Sequence, residues 1–86
     1  MTESKLEKLA EQLRKTMSKR YWGEDYSEAI YVRNGYLKFS TEYGLCGADY
    51  YSMKGYAVIS ETLENFAEKL GMHWEWENPA IITMYK

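Results

Sequence analysis

Leu6, Leu9, Ala10, Leu13 and Met17 recur at the spacing of one helical face, a single apolar stripe with a period of 3.6. That stripe predicts a helix over 4–19. Ser4 and Glu7 have capping-box spacing, and Thr2 is a second candidate cap. Acidic residues come early in the segment and basic ones late, which suits the helix dipole, and Glu11 and Lys15 form a favourable i,i+4 pair. A loop over 23–28 leads into alternating residues, Ile30-Tyr31-Val32-Arg33, then Asn34-Gly35, then Tyr36-Leu37-Lys38-Phe39. Asn-Gly suits a two-residue type I′ turn, whose central residues both need positive φ. The turn sets the pairing: Arg33 with Tyr36, Val32 with Leu37, Tyr31 with Lys38, Ile30 with Phe39. Ile30, Val32, Leu37 and Phe39 then share one face, and Tyr31, Arg33, Tyr36 and Lys38 share the other.

The pattern weakens over 41–49, where Gly44 and Gly47 interrupt it, and a loop is expected. Residues 50–59 read as extended, with a strand at 55–59, a shorter partner before it, and Lys54-Gly55 as a turn or bulge. Ser60 caps a second helix with Glu61 and Glu64 at its positive end. Leu63, Phe66, Ala67 and Leu70 form its stripe, and Gly71 sits at the αL cap position, followed by Met72. A last hairpin runs over 73–77 and 80–85 around Asn78-Pro79. Pairing Trp76 with Ile81 places Trp74, Trp76, Ile81 and Thr83 on one face and His73, Glu75, Ile82 and Met84 on the other. The order is α-β-β-(β)-β-α-β-β. The expectation is an α+β fold with two helices on one face of an antiparallel meander of four to five strands. The C-terminal strand is expected at an edge.

Length changes this picture little. At 86 residues the chain has material for one domain, spanning 1–86, and one core. The aromatic load is high, with nine Tyr, three Trp and two Phe. Cys46 is the one cysteine, so no intrachain disulfide can form. With no apolar leader after Met1 and no run of the ~20 apolar residues a membrane span needs, the expectation is a cytoplasmic protein without membrane contact. The net charge of −2 hides an asymmetry: residues 1–20 carry six basic and three acidic side chains, the remainder five and ten. The α-β-β-β-α portion resembles the element order of double-stranded RNA-binding domains. That family has lysines at the start of its second helix, whereas this chain has Ser60-Glu61-Thr62-Leu63-Glu64, which repels phosphate.

Chemistry is thinly represented. His73 and Cys46 are the single residues of their kinds, and no sequence signature brings them together as a base and nucleophile. One of each falls short of a zinc site. His73, Glu75 and Glu77 alternate on one strand face, an arrangement expected more of a solvated surface than of a cation site. No phosphate-binding glycine motif occurs. The chain is therefore read as non-catalytic, without metal or cofactor. Two surfaces remain. Tyr31, Arg33, Tyr36 and Lys38, with Tyr50 and Tyr51 and also Tyr56 nearby in sequence, form a candidate protein-binding face, because Tyr and Arg are enriched where proteins meet. Ile82 and Met84 would enlarge it. The partner would be another protein or a second copy of the chain. Small acidic, Tyr-rich domains of this kind resemble accessory proteins of phages and mobile elements, which act as adaptors or inhibitors. The alternative is nucleic-acid binding by Arg14, Lys15, Lys19, Arg20 and Trp22 at the basic end of the first helix.

Overall fold

The computed structural model describes residues 2–21, 26–41, 48–49 and 58–86. Helix α1 spans Glu3–Arg20, and α2 spans Glu61–Lys69. The strands are β1 (Ile30–Arg33), β2 (Tyr36–Ser40), β3 (Ala48–Asp49), β4 (Val58–Ile59), β5 (His73–Asn78) and β6 (Ile81–Tyr85). Four of them form an antiparallel sheet in the order β1-β2-β6-β5, while β3 and β4 pair separately. The protein is thus an α+β fold with two helices packed on an antiparallel sheet.

Most local signals act where the sequence places them. Of the two candidate caps, Thr2 is the α1 cap, its hydroxyl accepting from the Lys5 amide at 3.2 Å, while Ser4 lies inside the helix, which begins at Glu3. Ser60 caps α2 by accepting from the Leu63 amide at 3.3 Å. Gly71 adopts φ +70° after α2, and the Met72 amide returns to the Ala67 carbonyl. Asn34 and Gly35 have φ +53° and +81°, as a type I′ turn requires. The β1–β2 register is the expected one at all four pairs.

Leu6, Ala10, Leu13 and Met17 from α1 and Leu63 and Ala67 from α2 pack into one core with Ile30, Leu37, Phe39, Trp74, Ile82 and Met84. Helix α1 lies over β1 and β2, α2 lies over β5, and the helices touch each other. Trp74 ties the layers together: its indole N–H donates to the Leu63 carbonyl at 2.7 Å.

Three expectations change. The sheet is not a simple meander, because the C-terminal hairpin joins β2 through β6, making β6 central and β5 an edge. Composition explains the choice: Ile82, Thr83 and Met84 are all buried, whereas β5 carries Glu75 and Glu77 and suits a position with one side in water. The β5–β6 register is also shifted by one residue. Trp76 pairs with Ile82 and Asn78 with Ile81, leaving Glu77 as a bulge. Because side chains alternate, this slip sends Ile82 and Met84 into the core and turns Ile81 and Thr83 to the reverse face. Third, Leu70 lies at the α2 C-cap and stays 37% exposed, since the chain turns away before the stripe reaches the core. The expected strand over 55–59 is described only at Val58–Ile59, paired with Ala48–Asp49. Lys54-Gly55 lies outside the described residues.

Candidate functional site

The face of the sheet opposite the helices carries Tyr31 and Arg33 from β1, Tyr36, Lys38 and Ser40 from β2, Thr83 and Tyr85 from β6, and His73 and Glu75 from β5. The hairpin turn therefore does bring Tyr31, Arg33, Tyr36 and Lys38 together, as expected. Their surroundings differ. Tyr36 is 43% exposed, Arg33 is exposed and Tyr31 is half-buried. Lys38 is only 6% exposed.

The Lys38 ammonium is held within the face. Its Nζ donates to Glu77 Oε1 at 2.5 Å and to Thr83 Oγ1 at 3.0 Å. The Thr83 hydroxyl donates in turn to Glu77 Oε1 at 3.4 Å. The β-bulge supplies this arrangement, since Glu77 is the extra residue between the Trp76 and Asn78 pairs. A buried ammonium is tolerated only when paired and hydrogen-bonded, and this one is both. The hydrogen bond from Lys38 holds the Glu77 carboxyl below its ordinary value, against some desolvation. The charge of Lys38, the Thr83 hydroxyl and the charge of Arg33 act in the same direction. Nothing in the sequence flagged this triad, because Glu77 and Thr83 lie 39 and 45 residues from Lys38.

The free end of the face is aromatic. The rings of Tyr36 and Tyr85 lie 5.1 Å apart at 57°, and His73 is 6.3 Å from Tyr85. His73 Nε2 is 2.7 Å from Glu75 Oε2. Tyr50 and Tyr51, together with Tyr56, lie outside the described residues.

The basic end of α1 divides in the same way. Arg14 donates from Nε and Nη2 to the Ile30 carbonyl at 3.2 and 2.6 Å, and its Nη1 reaches Glu11 at 3.4 Å. The Arg20 guanidinium lies 5.3 Å from the centre of the Tyr21 ring. Lys15 and Lys19 are exposed and line an open cleft of about 690 Å³ with Glu11, Arg14 and Tyr26. Trp22 lies outside the described residues.

Cys46 also lies outside them, so its distance from His73 is not described. Among the described residues, no three His, Cys, Asp or Glu side chains are grouped to hold a metal ion. No helix among them is long and apolar enough to cross a membrane. Compared with protein families, characterised proteins and solved structures, the chain matches none.

Proposed function

We propose that this chain is a cytoplasmic, non-catalytic binding module that works by protein contact. Its contact surface is the Tyr36 end of the reverse sheet face, with Arg33 and Tyr85 beside Tyr36 and Tyr31 behind it. The partner is another protein or a second copy of the chain. One observation carries the reading: Tyr36 presents 43% of its surface to solvent while its ring rests on Tyr85 at 5.1 Å. A large side chain held in place before binding loses little conformational freedom on contact, and tyrosine combines apolar area with a polar tip. Lys38 takes a supporting part, fixing β2 to β6 and β5 rather than touching the partner.

Sedimentation velocity over a range of protein concentrations, followed by affinity capture with wild type and Tyr36→Ala, tests this. The expected result is a self-associated or captured species that withstands 500 mM salt and is lost in Tyr36→Ala. Capture that is unchanged by Tyr36→Ala refutes it. The alternative, nucleic-acid binding, draws on the cleft beside Lys15 and Lys19. It predicts binding that falls steeply with salt and depends on those two lysines, because phosphate contacts release counterions.

A further inference from the structure

We infer that the groove at the end of the sheet is a docking site for a peptide segment bearing a bulky apolar side chain flanked by carboxylates. The inference deepens the protein-contact reading and rests on it. The groove measures about 400 Å³ and runs between the start of α1, the hairpin turn and the residues following α2; Lys5, Leu6, Tyr36, Leu70, Met72 and Lys86 define it.

Three observations select the occupant. First, Tyr36 and Leu70 are the large apolar side chains left exposed among the described residues, at 43% and 37%, and both line this groove. They come from unrelated elements, a hairpin and a helix end, and meet only here. Second, the charged side chains lining the groove are Lys5 and Lys86, and no acidic side chain lines it. Lys5 sits in the first turn of α1, the positive end of the helix, where a cation is unfavourable for the helix itself. It adds to the attraction for an anion instead. Against a chain of net charge −2 this is a local basic patch over an apolar floor. Third, the volume falls at the low end of the roughly 300–1,000 Å³ typical of ligand pockets. That suits one or two anchoring side chains. The site is a groove rather than an enclosed cavity, so an acyl chain laid in it would keep much of its surface in water.

The test uses the full chain. A displayed library of random heptapeptides is panned against it. An enriched sequence is then synthesised and titrated by fluorescence anisotropy against wild type and variants. Enriched sequences should pair Leu, Met, Phe or Trp with neighbouring Asp or Glu. Leu70→Glu should weaken binding at least about tenfold, as loss of an anchoring contact does. Lys5→Glu and Lys86→Glu should each weaken it up to about fivefold, the range of exposed ion pairs, and less at high salt. Leu70, Lys5 and Lys86 are exposed, and thermal melts of the variants, expected to match wild type, check that they fold. Enrichment of sequences without carboxylates overturns the proposal, as does binding indifferent to Leu70→Glu and Lys5→Glu. Self-association abolished by Leu70→Glu also overturns it, since the occupant is then a second copy. Arg33→Glu separates the two readings. Partner binding lost in Arg33→Glu but kept in Leu70→Glu leaves the sheet face as the contact and removes the groove. Loss in neither variant removes both.

Discussion

Replacing Arg14 with Met should destabilise the fold by about 1.5–2 kcal/mol, although the residue lies in an apparently solvated basic cluster. Ile30 opens the edge strand β1. The Ser40 amide donates to the Ala29 carbonyl and the Ile30 amide donates to the Tyr26 carbonyl. The Ile30 carbonyl therefore points away from β2, and Arg14 is the group that meets it, through two hydrogen bonds at 3.2 and 2.6 Å. Ile30 is fully buried, so its carbonyl would lose its partner with little water to replace it. Hydrogen bonds from charged donors contribute about 1.5–3 kcal/mol. The lower part of that range applies because the Arg14 side chain remains 25% exposed. The Glu11 pair adds only a few tenths of a kcal/mol in water. Met preserves most of the stem packing, so the loss reports on the guanidinium. In a domain of this size each kcal/mol moves the melting temperature by about 4–8 °C, giving an expected drop of about 6–16 °C by circular dichroism. Lys15→Met and Lys19→Met, both exposed, should stay within about 0.5 kcal/mol of wild type. An Arg14→Met protein melting within about 2 °C of wild type would refute the reasoning. So would an equal loss in the two lysine variants.

Two further predictions concern stability. The folded-state value of Glu77 is depressed from 4.5, so its contribution is present above about pH 4.5 and is lost as pH falls through the folded value. Urea denaturation of Glu77→Gln from pH 7 to pH 3 should show lower stability at neutral pH and a flatter decline below about pH 4.5, converging on wild type in acid; parallel curves would contradict the Lys38 pairing. Gly35→Ala should cost about 1 kcal/mol, read as a lower urea midpoint with unchanged slope, because Gly35 has φ +81° and an added Cβ meets only open space.

Residues close in sequence were the legible ones. Asn34-Gly35 specifies its own backbone and so fixes four pairs of the first hairpin, and the α1 stripe identifies all four of its buried residues, Leu6, Ala10, Leu13 and Met17. The second hairpin lacked such a constraint. Ile81, Ile82 and Met84 give a plausible apolar face in either register, and Asn78-Pro79 does not set the loop length as Asn-Gly does. Asn78 Oδ1 accepts from the Ala80 amide at 2.8 Å, and Pro79 and Ala80 form the turn, with Glu77 bulged before it. The deciding partner of that bulge is Lys38, on a strand far away in sequence, so the register depends on tertiary structure. Leu70 failed for a different reason: periodicity predicts which side a residue faces and not whether the core extends that far.

On the proposed protein-contact reading, the same long-range network bears on where a partner would be favoured. On the sequence alone Lys38 belonged to the contact surface. In the fold, the ammonium already exchanges water for Glu77 and Thr83, and both Thr83 and Ser40 beside it are buried. A partner pressed against that centre would gain little apolar area, and it would have to dry the Glu77 carboxylate, which is still 42% exposed. Arg14 is likewise committed to Ile30. Arg33, Lys5 and Lys86 are among the exposed cations that remain, and Tyr36 and Leu70 are exposed apolar groups. Lys5, Lys86, Tyr36 and Leu70 line one groove, and Arg33 pairs with Tyr36 across the hairpin. On the proposed protein-contact reading, exposed apolar area and cationic side chains occur together at the turn end of the sheet, while the desolvation penalty would lie at its middle.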